Sequence, residues 1–360
     1  MVSEHEPASS QSAASAAKTY IHIQPTTEAP DAPTVESHMR RLHGLEGEHD
    51  PSGLLGRLSD PPAVTTEWVL VSSGGDDPHV DYYVGVDDPA TLDSLEHTLR
   101  GLFPDTYELE RVDGSVLPVG DEDPAANLAA VEFVGVPERR SDWQTRLARF
   151  GTFRTDDQAR VPLSSVAETM ANSAVPMVYQ ALLRPKPDWA DRLDDRKLDI
   201  EMNEDTLRGK VANTMFGVPD PDETSLYEAD RERIEEMGNR NAHSSFEVNA
   251  RAVALPTPDG AGTAATETVR DLLTALGEVS HTTYDIDGTV ATGDQGRRIL
   301  EDVRERSFHP ADYERLGTRL PWRENRSRGI VADASEVANF CLLAGDGLTA
   351  AGERAVALTP

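Results

Sequence analysis

Two aspartates in the last third of the chain have a spacing that suits phosphoryl chemistry. They are Asp285 and Asp287, within the sequence DIDGTV at positions 285–290. At this spacing one carboxylate can attack phosphorus and the other can protonate the leaving oxygen, with Mg²⁺ held between them. Two features oppose this chemistry: residues 280–284 are not a run of apolar residues, and no lysine follows Lys210 to bind phosphate. We interpret the motif as a strand that ends in a glycine turn.

A glycine pattern at positions 260–265, GAGTAA, has the form of a dinucleotide-binding turn between a strand and a helix. The strand before it, residues 246–251, alternates apolar and polar side chains, which predicts that one face lies in water. The first strand of a dinucleotide-binding unit is instead buried on both faces. We therefore expect a flexible loop and no nucleotide cofactor. Gly209-Lys210 likewise lacks the other residues of a phosphate-binding loop.

Histidines and acidic residues near the N-terminus form a possible metal cluster. Its members are His38, His43, His49, Glu46, Glu48 and Asp50. Their spacings match no familiar zinc pattern, and they straddle a predicted helix end and a loop. We expect ordinary surface residues and no metal site. The single cysteine, Cys341, excludes an intrachain disulfide and favours a cytoplasmic protein.

A stretch near the C-terminus differs from the rest of the chain in charge. Positions 297–328 contain nine arginines and six acidic residues. Arg298 and Asp302 have helical spacing, so one interpretation is a helix with salt bridges along its surface. The other is a contact face for nucleic acid or an acidic partner, because a guanidinium binds phosphate bidentately. The candidate contact residues are Arg297, Arg298, Arg319, Arg323, Arg326 and Arg328.

The chain as a whole is strongly acidic. Its 360 residues include 64 Asp and Glu against 34 Lys and Arg, for a formal net charge of -30. In molar salt the Debye length falls to about 3 Å, so the self-repulsion is largely screened. We therefore expect a protein of a haloarchaeal cytoplasm, and not one that binds nucleic acid over its whole surface. No apolar run approaches the roughly 18–20 residues of a spanning helix, and the N-terminus lacks a signal-peptide pattern.

The order of predicted elements occurs twice. Residues 19–120 predict β-α-β-β-α-β, and residues 121–292 predict the same order with a charged helical insertion at 185–243. This order is typical of the ferredoxin-like, split βαβ arrangement. The sequence therefore predicts an α+β fold of two ferredoxin-like units with antiparallel sheets. Residues 1–18 are predicted to be disordered, and residues 293–360 to form an arginine-rich helix and loop followed by a closing segment.

Several segments together resemble a known family. They are YIHIQPTTEAPDAPTVESHMRRLHGL, QALLRPKPDW and ASEVANFCLLAGDGLTAAGERA. Their order resembles the region before the motor of haloarchaeal conjugative DNA-transfer ATPases, the HerA-like type IV secretion motor group. The resemblance covers residues 19–360. It implies a module beside a hexameric motor, with the phosphate-binding motifs beyond Pro360 or in a separate chain.

The sequence leaves two alternative functions open. The first is a non-catalytic assembly module of such an ATPase, without a cofactor, at the periphery of a membrane-associated transfer complex. Its partners would be the motor ATPase domain or subunit, further copies of the chain, and DNA passing through the assembly. The alternative is a Mg²⁺-dependent phosphohydrolase of the haloacid-dehalogenase type, which uses Asp285 and Asp287.

Overall fold

A computed structural model gives the fold of most of the chain. It describes residues 19–28, 30–45, 47, 63–75, 79–117, 128–154, 160–202, 226–255, 262–313 and 325–356. The N-terminal segment 1–18, predicted to be disordered, lies outside these residues, as does the middle of the predicted insertion, 203–225. No helix among the described residues has both the length and the apolar character needed to cross a bilayer.

The described residues contain both strands and α-helices, interspersed along the chain. The strands are β1 (Thr19–Gln24), β2 (Thr66–Ser72), β3 (Val80–Val86), β4 (Glu108–Asp113), β5 (Ala129–Pro137), β6 (Met177–Pro185), β7 (Ser245–Ala254), β8 (Tyr284–Gly288), β9 (Ala291–Thr292) and β10 (Ile330–Asp333). The α-helices are α1 (Ala32–His43), α2 (Leu92–Leu102), α3 (Pro162–Ala171), α4 (Ala190–Glu201), α5 (Glu228–Gly238), α6 (Gly262–Gly277), α7 (Gly293–Arg304) and α8 (Ala350–Ala355).

Local sequence explains where the first helix begins and ends. The Asp31 carboxylate accepts a hydrogen bond from the backbone N–H of Thr34 at 3.1 Å, and Pro33 occupies the first turn. The helix ends before Gly44, whose N–H donates to the carbonyl of Arg41 at 3.1 Å. Both ends of α1 are therefore explained by residues adjacent to them in the sequence.

Strand pairing divides one sheet into two halves with the same arrangement. The order is β4-β1-β3-β2-β6-β7-β5-β8, with β9 beside β5 and β10 beside β7. In each half the first strand lies between the third and the fourth, and the second strand faces the other half. All of these pairs are antiparallel. The predicted mixed α+β class with antiparallel pairing is therefore confirmed.

The two halves meet where β2 pairs with β6. Val69 lies opposite Gln180 at the centre of this pairing, and Ser72 lies opposite Met177 at one end. An unpaired strand edge is a site of uncontrolled association. Each half therefore covers an edge that the other half would otherwise expose.

Helices cover one face of the sheet over both halves, and we call this the first face. α1 packs against α2 over the N-terminal half, and α3 packs against α6 over the other half. Their apolar side chains, such as Val35, Leu99, Val166 and Leu272, share one buried core with Trp68 of β2. Burial of this apolar surface is the main source of stability on this face.

A segment from the C-terminal region lies between the two halves on the first face. Residues 337–344, which we call the core segment, are all buried. The Tyr82 hydroxyl on β3 donates to the carbonyl of Cys341 at 2.5 Å, and the Tyr179 hydroxyl on β6 donates to that of Phe340 at 2.8 Å. One tyrosine comes from each half, so the core segment connects them. Residues that the sequence assigns to the closing segment thus lie inside the core.

The opposite face of the sheet, the second face, is covered by α7. Its apolar residues Ile299, Leu300 and Val303 pack on valines of the central strands. Asn249 and Arg251 of β7 are both fully buried beneath α7 and the chain that follows it. The prediction that the polar residues of this strand face water is therefore wrong, because the strand is covered on both sides.

Candidate functional site

Three polar side chains lie side by side on the second face. Gln180 of β6 pairs with Arg251 of β7, and Arg251 pairs with Glu132 of β5. Arg251 donates through Nε to Glu132 Oε1 at 3.3 Å and through Nη1 to Gln180 Oε1 at 3.4 Å. Burial lowers the pKa of Arg251, and the negative charge of Glu132 opposes this shift. A buried guanidinium needs such partners, since an unpaired one would be strongly destabilising.

The row of polar groups continues onto β2 through Glu67, which is 1% exposed. Gln180 Nε2 donates to Glu67 Oε1 at 2.5 Å. The other oxygen, Oε2, accepts from the Tyr20 hydroxyl at 2.8 Å and lies 2.5 Å from Arg306 Nε. Burial and the charge of Glu67 raise the pKa of Tyr20, so its hydroxyl remains a donor. We call Glu67, Gln180, Arg251 and Glu132 the polar ladder.

The C-terminal end of α7 supplies further acceptors to the polar ladder. Gln180 Nε2 donates to the carbonyl of Val303 at 3.0 Å, and Arg251 Nη2 donates to that of Ser307 at 2.7 Å. Carbonyls at a helix C-terminus lack helical partners and carry partial negative charge, which favours a cation nearby. Arg306, two residues after the end of α7, has a left-handed backbone φ of 56°. The polar ladder therefore determines where α7 lies on the sheet.

Arg328 binds two carboxylates at the outer end of the ladder. Its Nε lies 2.5 Å from Glu132 Oε2, and its Nη2 contacts Asp302 of α7. His309 Nε2 lies 3.3 Å from Asp302 Oδ2. Burial raises the pKa of Asp302, but Arg328, Arg251 and His309 together outweigh it and hold that pKa below its ordinary value. Buried Asn249 fixes His309, accepting from its N–H at 2.6 Å and donating to its carbonyl at 2.7 Å.

A groove of about 490 Å³ runs between α7 and β5 beside these residues. Its neutral polar lining includes Gln295 and Thr289. Its charged lining residues are Glu132, Arg298, Glu301, Asp302, Glu305, Arg326 and Arg328. Because both signs of charge line it, the groove suits a partner or ligand that also carries both.

The groove contains half of the arginines that the sequence proposes as contacts. These are Arg298, Arg326 and Arg328. Arg297 lies outside the lining of the groove, with its Nη1 3.8 Å from Asp294 of the same helix. Arg319 and Arg323 lie outside the described residues. The structure therefore brings together arginines from α7 and from the segment before β10.

The two aspartates of the phosphoryl motif lie on the last strand of the sheet order. β8 pairs with β5 in the antiparallel sense. Asp287 Oδ2 accepts from Arg326 Nη2 at 2.8 Å, whereas Asp285 is exposed. Desolvation by its neighbours and the charge of Asp287 raise the pKa of Asp285. Within the described part of the sheet, these aspartates do not follow a parallel strand.

The predicted histidine cluster is only partly described, and its described members bind the protein itself. His38 Nδ1 lies 2.9 Å from the carbonyl of Thr34 on α1, and His43 Nε2 lies 3.2 Å from that of Lys186. The remaining members, outside the described residues, are His49, Glu46, Glu48 and Asp50. These contacts give His38 and His43 structural roles.

The glycine pattern at positions 260–265 also lies partly outside the described residues. α6 begins at Gly262, within the pattern. The preceding strand β7 is antiparallel to its neighbours β5, β6 and β10. The first strand of a dinucleotide-binding unit instead has parallel neighbours. The expectation that no nucleotide binds here stays a prediction.

A second buried charge pair lies beside the core segment. Glu336 Oε2 is 3.1 Å from Arg240 Nη1, and both side chains are essentially without exposure. Glu336 also accepts backbone N–H bonds from Leu147 and Asp333, each at 2.9 Å. Burial raises the pKa of Glu336 to about 8, although Arg240 opposes this shift. This pair fixes the start of the core segment against the chain that follows β5.

The polar ladder and the contacts of His309 are not among the sites predicted from the sequence. One signal was available for two of these residues: Glu132 and Gln180 each interrupt a run of apolar residues in β5 and β6. Their registry could not be read from the sequence, because it depends on which strands are neighbours.

No protein-family model matches this chain, and a search of the curated proteins finds no match either. Its function therefore has to be inferred from its geometry. The groove places arginine donors beside carboxylate acceptors, and both can make charge-assisted hydrogen bonds.

Proposed function

We propose that this chain is a non-catalytic assembly module of a conjugative DNA-transfer ATPase of a halophilic archaeon, built from two ferredoxin-like units joined edge to edge. The repeated strand order supports the two-unit interpretation, since each half has its first strand between the third and the fourth. The motor ATPase domain or subunit is the principal partner, in a homo-oligomeric complex through which DNA passes. The complex acts at the cytoplasmic side of a membrane.

The observation that carries this proposal is the position of the core segment. The junction of two units is a common place for a ligand cleft. Here residues 337–344 fill the junction on the first face, and tyrosines from both halves bind their backbone. The described centre of the molecule is thus occupied by the chain itself, which supports a rigid scaffold that acts through its surface.

The contact surface that we propose is the groove with Arg298, Arg326 and Arg328. Arg326 and Arg328 pair with carboxylates of this chain, so their charge is already partly balanced. Balanced charge disfavours bare DNA, whose affinity comes mostly from net positive charge. It favours a protein surface with both signs of charge, and so the motor itself rather than the DNA.

The test uses a pair of adjacent residues on α7. Arg298→Glu changes a residue that lines the groove, and Arg297→Glu is the matched control on the same helix but outside the groove lining. We expect Arg298→Glu to weaken binding of a purified haloarchaeal conjugative motor domain by about 10-fold or more, as for a charge in an interface core. Biolayer interferometry measures this affinity. The buffer contains about 2 M KCl, which screens nonspecific electrostatic attraction.

Three results would contradict the proposal. One is equal binding by both variants, and another is tighter binding of labelled single-stranded DNA than of the motor domain. The third concerns the alternative function: Mg²⁺-dependent turnover of a chromogenic phosphate ester that Asp285→Asn abolishes would identify a phosphohydrolase.

A further inference from the structure

Two carboxylates and one imidazole converge at the outer end of the polar ladder. Glu132, Asp302 and His309 each offer one ligand atom, and these atoms all lie within 4.8 Å of one another. They come from three places: a central strand, the last turn of α7, and the loop after it. Carboxylate and imidazole together are the ligand types of Mn²⁺ and Zn²⁺ sites.

The three ligands are held in place from behind by buried groups. Arg251, which is fully buried, binds Glu132 Oε1 at 3.3 Å, whereas Oε2 accepts from Arg328 at 2.5 Å. Asn249, also fully buried, makes two hydrogen bonds to the backbone of His309. Outer residues that orient ligands in this way are typical of metal sites and contribute strongly to their affinity.

A positive group already lies between the two carboxylates. The Arg328 guanidinium contacts Glu132 through Nε and Asp302 through Nη2. Arg328 is the most exposed member of the group, at 42% for its side chain, against 14% for Glu132 and 22% for Asp302. It can therefore move into solvent, whereas the carboxylates stay fixed by the strand and the helix.

We propose that Glu132, Asp302 and His309 form a site for a divalent transition-metal ion, Mn²⁺ or Zn²⁺, which the ion enters by displacing the Arg328 guanidinium. Three protein ligands leave coordination positions open towards the groove, where Arg298 and Gln295 lie. Displacement also releases Arg328 from α7 and β5, so metal binding frees an arginine for other contacts. The site does not depend on the proposed assembly function.

The exchange with Arg328 predicts opposite effects for two kinds of variant. Asp302→Asn and His309→Asn remove a ligand, so we expect metal affinity to fall by about 10-fold or more. Arg328→Gln removes the competing cation, so we expect affinity to rise. A purely structural ion-pair cluster would not bind metal more tightly when its arginine is removed.

His243→Asn is the matched control, because His243 pairs with Asp188 at 2.8 Å on the exposed surface.

The measurement is titration of the full chain with MnCl₂, followed by the paramagnetic resonance of free Mn²⁺, and with ZnCl₂ by calorimetry. About 2 M KCl suppresses nonspecific attraction of cations to a charge of -30. We expect one site in the unaltered protein, a tighter site in Arg328→Gln, and no change in His243→Asn. Circular dichroism checks that each variant is folded, and Arg328→Lys replaces Arg328→Gln if the latter does not fold.

Each of three results would overturn the proposal. The first is no binding of either metal by folded Arg328→Gln or Arg328→Lys below about 1 mM, a concentration at which even a weak specific site is partly filled. The second is binding by folded His309→Asn that equals that of the unaltered protein. The third is an equal loss in His243→Asn, which would show that the metal binds the acidic surface in general.

Discussion

The two faces of the sheet are closed by different means. On the first face the mostly apolar core segment packs between helices, and Tyr82 and Tyr179 hydrogen-bond its backbone to the strands. On the second face α7 lies over paired charged side chains: Arg251 binds Glu132, and Glu67 binds Gln180 and Arg306. An apolar side chain packs acceptably against many alternative apolar neighbours, whereas a buried charge needs a partner at one specific position. The first face should therefore supply most of the stability, and the second should fix the position of α7.

Truncation of a core-segment side chain should give the largest effect. Phe340 is fully buried, so Phe340→Ala leaves a cavity and should lower the free energy of unfolding by about 4 kcal/mol. Urea denaturation in a fixed KCl concentration measures this. Leu198→Ala is the control, because Leu198 is 50% exposed and should cost much less. Equal losses of stability in the two variants would show that Phe340 does not pack in the core.

Removal of the buried guanidinium should come next. Arg251→Met leaves Glu132 with one cation fewer and should cost about 3 kcal/mol. The double variant with Glu132→Met should recover part of this loss, because no unpaired charge then remains in the strands. Arg40→Met is the control, since Arg40 forms an exposed pair with Glu36 that contributes little. A double variant less stable than Arg251→Met alone would contradict this account of the second face.

The buried carboxyl beside the core segment should make stability depend on pH. The folded-state pKa of Glu336, about 8, lies above its unfolded value, so folding favours the protonated form. The contribution of Glu336 to the free energy of unfolding is fully present below about pH 4.3 and is lost as the pH rises towards 8. Glu336→Gln cannot ionise, so its stability relative to the unaltered protein should increase between pH 5 and pH 8. Denaturation midpoints across this pH range give the slope of stability against pH for each protein. Parallel slopes for the two proteins would refute the raised pKa of Glu336.

The smallest effect should come from one hydroxyl on the first face. Tyr179→Phe removes the donor to the Phe340 carbonyl but keeps the ring, and should cost about 1 kcal/mol. Tyr227→Phe is the control, because Tyr227 is 79% exposed. A loss similar to that of Arg251→Met would mean that the first face also depends on polar contacts, and the contrast between the faces would disappear.

The elements with local signals could be predicted from the sequence, and the contacts between distant segments could not. Pro33 and Gly44 predict where α1 begins and ends, because helix ends depend on adjacent residues. The antiparallel α+β class followed from the order of elements. The family and the function stay predictions, since no family model and no curated protein matches the chain.

The candidate site shows why the rest could not be predicted. Arg251 alternates with apolar neighbours as an exposed residue of a half-buried strand would, and only the packing of α7 reveals that it is buried. Asp302 has helical spacing from Arg298, yet it pairs with Arg328, which lies 26 residues further along the chain. Local spacing suggests a pair within α7, whereas the structure pairs Asp302 with a residue from a distant segment.

The pairing of β2 with β6 has a consequence for how the chain can be divided. Seven consecutive residue pairs hold the two halves together there. A fragment cut between the halves would present a long unsatisfied backbone ladder to its surroundings, and identical fragments would tend to join through it. In the intact polypeptide, β2 and β6 satisfy this ladder within a single chain.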